Sequence, residues 1–204
     1  MGNNLDKYLS VRDMIDTGDG LLWKGNSVLG RAIRIWSPSY NHASIVFNEF
    51  KQEVNDEGMI TPTWTRKHIL EALDNGIVLR QISKRLEEYD GEAYWLPVKD
   101  QYKTWREGVG SWALDQVGTK YDYGSIIKNM FGRASLSLNL LFCSEYLYGA
   151  WRWEAIRRIL GTNDREEILS LWKSKDFEIF GFSKAPRPAG ILKMPIWEKP
   201  VQIL

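Results

Sequence analysis

The chain has 204 residues, of which 44% are hydrophobic and 26% are charged. This composition is that of an ordinary folded domain, and it excludes a chain that is disordered over long stretches. The 27 basic and 26 acidic residues leave a net charge of +1, so no excess of positive charge points to nucleic acid as a partner, and none is expected.

These values predict a single domain over residues 1–204, with a core over about 17–153 and a C-terminal helix and extended proline-rich tail over 154–204. The N-terminal segment carries charges in place of an apolar stretch, and no run of about 18 apolar residues could cross a bilayer. We therefore expect a cytoplasmic protein without a transmembrane segment. No cofactor is predicted.

The first half of the chain predicts two helices followed by antiparallel strands. In the first strand, the alternation of side chains places His42 and Ser44 on one face. The polar stretch over 51–63 is typical of a loop or insertion, and Asn75 and Gly76 predict a tight hairpin because both residues tolerate positive φ. The predicted helices cover 4–16 and 27–36, and the strands of an antiparallel meander cover 42–47, 67–72, 77–82 and 93–98.

The second half predicts helices and then an extended tail. Gly118 is placed to end one helix, and Thr162 and Asn163 are placed to cap another. Cys143 lies close to the start of an apolar helix. The predicted helices cover 102–117, 121–130, 140–153 and a segment after 163, and the extended tail covers 177–204.

Cys143 is the only cysteine in the sequence, so it cannot form an internal disulfide and is a candidate nucleophile. A position near a helix N-terminus favours the thiolate, because unpaired amide groups there carry partial positive charge. Such a nucleophile needs a base and a group that orients the base. Of the two histidines, His42 is favoured because it begins a strand, whereas His68 faces away from Glu71 on its own strand.

The residues alone also allow structural roles. A lone cysteine on an apolar helix is often a buried hydrophobic residue, and a histidine after a turn is often a polar group with satisfied hydrogen bonds. Glu71 could form a salt bridge with Arg80 across the hairpin. Cys143, the two histidines and Glu71 could bind zinc, but the sequence lacks the closely spaced Cys or His pairs of such sites. We predict no metal site.

Five short segments between residues 18 and 146 follow one another in an informative order. They are Gly-Asp-Gly-Leu-Leu at 18–22, Tyr-Asn-His-Ala-Ser-Ile-Val at 40–46, Leu-Glu-Ala at 70–72 with Gly-Ile-Val at 76–78, Lys-Tyr-Asp at 120–122 and Phe-Cys-Ser-Glu at 142–145. Together they resemble the permuted branch of the NlpC/P60 superfamily, the YiiX-like and YaeF-like papain-fold hydrolases, in which the histidine and the acidic residue precede the cysteine.

The resemblance implies a fold and a set of roles. The fold is α+β and circularly permuted papain-like, an antiparallel β-sheet or partial barrel packed against helices, with the nucleophile at a helix N-terminus. Cys143 is implied as the nucleophile, His42 as the base and Glu71 as the group that orients the base. The Cys143 backbone amide is the expected oxyanion donor, and Tyr40 and Ser44 are candidate oxyanion or substrate-binding residues.

Two further residues and one segment bear on the predicted site. Glu145 is expected at the surface or at a cap, because the helix turns it away from Cys143. Asn41 stands where serine is frequent in the family, which leaves the chemistry untouched. The polar insertion over 51–66 is expected to reshape the substrate cleft.

The implied function is that of a cysteine hydrolase or acyltransferase. The Cys143 thiolate would attack an amide or ester carbonyl, His42 would protonate the leaving group, and water or another acceptor would resolve the thioester. The expected substrate carries a peptide bond, an isopeptide bond or an acyl group. The alternative is a catalytically silent papain-fold module that binds a partner or a host protein. The ten tryptophans fill a core or line an apolar ligand groove.

Overall fold

The computed structural model describes residues 5–25, 39–54, 58, 60–73, 76–118, 138–174 and 177–204, and of 51–54, 60–64 and 138–142 it describes the backbone only. The helices predicted over 27–36 and 121–130 and the segment 120–122 lie outside the described residues.

Within these ranges, six strands form one antiparallel sheet. The strands are β1 (Gly20–Gly25), β2 (His42–Val54), β3 (Ile60–Leu73), β4 (Gly76–Gln81), β5 (Gly91–Leu96) and β6 (Val201–Gln202). They lie in the order β4-β3-β2-β1-β5-β6. The α+β class and the antiparallel sheet expected from the sequence are therefore confirmed.

Helices pack on this sheet and extend from it. They are α1 (Asp6–Val11), α2 (Ile82–Glu88), α3 (Arg106–Asp115), α4 (Leu138–Leu160), α5 (Arg165–Lys173) and α6 (Pro188–Ile191), with 3-10 turns at Arg12–Met14 and Asp100–Trp105. α4 exceeds the predicted range of 140–153 at both ends, because good helix-forming residues continue there. No helix in the described ranges has the length and apolar character needed to cross a lipid bilayer.

The sheet differs from the predicted meander in two places. β2 and β3 continue through most of the polar stretch over 51–63, which was predicted as a loop. Backbone pairing does not depend on side-chain polarity, so a polar stretch can continue a strand that has a partner. In addition, β5 pairs with β1 at the other side of the sheet, and not with β4. α2 follows β4 directly and separates it from β5.

Side chains of the sheet form cores on both faces. The first face, which includes Ala43 and Ile45, packs against α3 and α4. The second face, which includes Trp23 and Val46, packs against α1, α2 and the C-terminal residues. The alternation predicted for the strand that begins at His42 is therefore present, and both faces of the sheet are covered.

The C-terminal region is more ordered than the predicted extended tail. Asp164 caps α5 by accepting hydrogen bonds from two backbone N–H groups of the first turn, the role predicted for Thr162 and Asn163. The following residues form α6 and then β6, which pairs with β5. They also contribute buried apolar side chains to both cores, namely Ile191, Met194, Ile196, Trp197, Ile203 and Leu204. The prediction of a tail over the surface was wrong.

A buried carboxylate connects the turn before β1 to the rest of the fold. Asp19 is 0% exposed. Its Oδ1 accepts a hydrogen bond from the Val98 backbone and lies 2.7 Å from Nη2 of Arg106. Its Oδ2 accepts hydrogen bonds from Nε1 of Trp95 and from the Asp16 backbone, each at 2.8 Å. Burial raises the pKa of Asp19, and the charge of Arg106 acts in the opposite direction.

The described tryptophans contribute to packing, the first of the two roles predicted for them. Trp112, for example, stacks on Trp153 and Trp172, with ring centroids 6.3 and 6.1 Å apart. The buried tryptophans are Trp23, Trp95, Trp151, Trp172 and Trp197, and the half-buried ones are Trp105, Trp112 and Trp153. The described tryptophans therefore do not argue for an aromatic or acyl ligand.

Candidate active site

His42 lies between a carboxylate and a thiol. It is the first residue of β2, and its Nε2 atom lies 2.7 Å from Oε2 of Glu71 on β3. The side chain of Cys143 on α4 is a second hydrogen-bond partner of the His42 ring. Because Nε2 is engaged by Glu71, Nδ1 is the ring atom left for the thiol. Two of the residues predicted as a triad, Glu71 and Cys143, which come from different elements, are therefore both partners of the third, His42.

The environment of His42 favours its protonated form. The side chain is 15% exposed, and burial by itself lowers the pKa of a histidine. The charge of a Cys143 thiolate and hydrogen bonds to Cys143 and Glu71 outweigh burial and raise the pKa of His42 to about 10. A protonated imidazole in this position can give its proton to a leaving group.

Glu71 interacts through both of its carboxylate oxygens. Burial would raise its pKa, but the hydrogen bond and charge of His42, followed by the charges of two arginines, lower the pKa of Glu71 below 4.5. Its Oε1 lies 3.2 Å from Nε of Arg85 on α2. Arg80, the partner considered from the sequence, forms its ion pair with Glu88 at 2.6 Å. The structure thus replaces Arg80 with Arg85 as the ion-pair partner of Glu71.

Cys143 does not lie in the first turn of its helix. It is the sixth residue of α4, whereas the amide groups without a helical acceptor belong to the first turn. The leucine-rich residues at 138–142 favour a helix and extend it ahead of the cysteine. Cys143 therefore lies about one turn beyond the expected position at the helix N-terminus. Its backbone amide is not one of the first-turn amides on which its expected role as oxyanion donor depended. The Cys143 side chain is buried.

His68 lies away from this site, as the strand pattern predicted. It precedes Glu71 by an odd number of residues on β3 and therefore points to the other face of the sheet. Its Nε2 lies 3.9 Å from Oε2 of Glu49. His68 is therefore not available as an additional ligand of the zinc site considered from the sequence. In the described part of the chain no group of three or more His, Cys, Asp or Glu residues is arranged to hold a metal ion.

Ser44 and Tyr40, the candidate oxyanion or substrate-binding residues, have contacts of different kinds. Ser44 is 0% exposed, and its Oγ accepts a hydrogen bond from Nε1 of Trp23 at 2.9 Å. Ser44 therefore holds the Trp23 ring in place, and its contact with substrate stays a prediction. The Tyr40 ring meets the Tyr94 ring edge-on, with centroids 5.3 Å apart. Burial raises the pKa of Tyr40, so its hydroxyl keeps the proton that an oxyanion donor needs.

Glu145 lies inside the protein, contrary to the surface position expected for it. It is 8% exposed, and its Oε2 has no hydrogen-bond partner among the described residues. Burial raises the pKa of Glu145 to about 7. Helical spacing correctly turns Glu145 away from Cys143, but spacing does not show that this part of α4 is covered on all sides. Every residue from 143 to 152 is buried.

We expect Glu145→Gln to stabilise the protein at pH 8 and to change little at pH 5. A carboxyl whose pKa is raised by folding lowers stability as pH rises from its ordinary value of 4.5 toward about 7. This difference in pKa lowers the free energy of unfolding of the wild type by roughly 3 kcal/mol at pH 8. Urea unfolding of both proteins at both pH values measures it. Glu167→Gln on exposed helix surface is the control, and an equal effect of Glu145→Gln at pH 5 and pH 8 would contradict the prediction.

Comparison with models of known protein families finds no match to the chain, and comparison with curated proteins finds none either.

Proposed function

We propose that the protein is a cysteine hydrolase or acyltransferase that cleaves amide or ester bonds through Cys143, His42 and Glu71. We also propose that its α+β fold is a circularly permuted papain-like fold of the NlpC/P60 type. The observation that carries the proposal is the position of His42, which contacts Glu71 through Nε2 at 2.7 Å and has the Cys143 thiol as its other partner. A base held between an acid and a thiol is the arrangement that activates a nucleophile.

The proposed reaction has two steps. The Cys143 sulfur attacks the carbonyl carbon of an amide or ester, and the proton on His42 passes to the departing amine or alcohol, so that a thioester remains. His42 then accepts a proton from water or from an amine as that group attacks the thioester, which regenerates the thiolate and imidazolium. Glu71 stays ionised throughout and keeps the His42 ring oriented. Tyr40 is proposed as a donor to the oxyanion.

A second candidate function is a papain-fold module that binds a partner without catalysis. One observation favours it, since the Cys143 side chain is 0% exposed. A nucleophile must be reached by its substrate, whereas a buried thiol packed beside His42 requires no access. The two candidates therefore differ in whether Cys143 reacts with small electrophiles in the folded protein.

The pH dependence of alkylation of Cys143 by iodoacetamide tests the proposal without knowledge of the substrate. We expect the wild-type rate to fall little between pH 8 and pH 6, because the imidazolium of His42 stabilises the thiolate. In His42→Gln the rate at pH 6 should be roughly a hundredfold lower than in the wild type, since an ordinary thiol of pKa about 8.5 is then almost fully protonated. His68→Gln serves as the control and should retain the wild-type profile.

The shape of the profile, and not its height, decides between the candidates. Restricted access to a buried thiol slows alkylation by the same factor at every pH, whereas loss of the ion pair changes the dependence on pH. Labelling in urea gives the total thiol content for normalisation. A measurable wild-type profile that follows an ordinary thiol would refute the thiolate–imidazolium pair. Complete protection of Cys143 from labelling would favour the binding module, because a substrate would then be excluded as well.

A further inference from the structure

Glu71 has a second charged partner on an element that the sequence did not reveal. α2 begins directly after β4, and Arg85 lies on it at the second face of the sheet. Nε of Arg85 is 3.2 Å from Oε1 of Glu71, while Oε2 of Glu71 is 2.7 Å from His42. The Arg85 contact is an ion pair without hydrogen-bond alignment. The two oxygens of one buried carboxylate thus contact two different cations.

Aromatic rings hold the Arg85 guanidinium in place. Its central carbon lies 5.3 Å from the ring centroid of Trp23 and 5.0 Å from that of Tyr89. The Trp23 ring is fixed by its hydrogen bond to Ser44, and the Tyr89 ring meets it edge-on with centroids 4.9 Å apart. Contacts of a cation with ring faces are favourable, and the planar guanidinium suits them better than an ammonium does.

The same rings connect to the strand that carries His42. The backbone of Trp23 is paired with that of His42 between β1 and β2. The Tyr89 hydroxyl donates a hydrogen bond to Oδ1 of Asn41 at 3.4 Å, and the same oxygen accepts a hydrogen bond from the Gly25 backbone. The aromatic support of Arg85 therefore includes direct neighbours of the proposed base.

We propose that Arg85 is a positioning residue that keeps Glu71 ionised and oriented toward His42. This inference rests on the proposed function. With Oε1 next to a guanidinium, the Glu71 carboxylate is restrained from rotating away from His42 and resists protonation. Arg80 on β4 also acts on Glu71 through its charge, but it is paired with Glu88 on α2 and makes no ion pair with Glu71.

The test is the pH profile of Cys143 alkylation in Arg85→Met, Arg85→Lys and the control Arg80→Met. We expect Arg85→Met to react within about twofold of the wild type at pH 8.5 and at least about tenfold more slowly at pH 5.5. Glu71 then takes up a proton in the acid range, which removes the counter-charge of the His42 imidazolium. Arg85→Lys keeps the charge but loses the planar group that stacks on the rings. The acid limb of its profile should therefore lie between those of the wild type and Arg85→Met. Arg80→Met removes a charge that is already paired with Glu88, so it should displace the acid limb much less than Arg85→Met does.

The outcomes are separable from failure of the proposed function. A wild-type profile of an ordinary thiol refutes the triad itself. The role of Arg85 is overturned if the wild-type rate falls little toward acid pH, as expected for the ion pair, and the Arg85→Met profile superimposes on it or is lowered equally at every pH. If Arg85→Met does not fold, Arg85→Lys decides alone: an acid limb displaced to higher pH supports the proposal, and superposition on the wild type overturns it.

Discussion

Cys143→Ser is expected to abolish reaction with an activated ester such as p-nitrophenyl acetate. In the wild type, one acyl group should be found on Cys143 by intact-protein and peptide mass spectrometry, accompanied by release of p-nitrophenolate. The rates of acylation and of p-nitrophenolate release should both fall by a factor on the order of 10⁴ or more in Cys143→Ser. A neighbouring imidazole ionises a thiol at neutral pH but does not ionise the serine hydroxyl, and nucleophile and base act as a unit.

Two further variants rank the contributions within the proposed triad. His42→Ala should lose as much activity as Cys143→Ser, because the thiol then has no base. Glu71→Gln should keep measurable activity, since the base is still present and only its orientation and counter-charge are lost. His68→Ala, which changes a histidine on the other face of the sheet, is the matched control. Equal activity of His42→Ala and the wild type would exclude His42 as the base.

Asp19→Asn should cost about 3–5 kcal/mol of folding free energy, the range found when one partner of a buried ion pair is removed. Each carboxylate oxygen of Asp19 faces two donors, Oδ1 the Val98 backbone and Arg106, and Oδ2 the Trp95 indole and the Asp16 backbone. Whichever way the amide of asparagine is turned, its NH₂ group therefore faces two donors, and the Arg106 charge loses its partner.

Urea unfolding measures this loss, with Asp13→Asn as the control. Asp13 also pairs with an arginine, Arg12, but its side chain is 95% exposed, so its loss should change stability by no more than about 0.5 kcal/mol. In the double variant Asp19→Asn with Arg106→Met, part of the lost stability should return because the uncompensated cation is removed. Equal stability of Asp19→Asn and Asp13→Asn would contradict a structural role for the buried carboxylate.

The contact between His42 and Glu71 could be anticipated from local patterns. Alternation along β2 and β3 places both residues on the second face of the sheet. The face of each side chain follows from counting residues along its strand, which the sequence allows. The same pattern separates His68 from Glu71. Which cation pairs with Glu71 could not be read in this way, since Arg80 is close in the hairpin whereas Arg85 reaches Glu71 only because α2 folds back over the sheet.

By itself the sequence determined the α+β class, most of the strands near the site and the face to which each of their side chains points, because strand alternation is a local property of the backbone. Tertiary structure alone decided the pairing of β5 with β1, the entry of the C-terminal residues into the core and the burial of Glu145. These features depend on which distant segments cover a given surface. Apolar periodicity predicts which surface of an element is buried, but it does not predict which distant segment covers that surface.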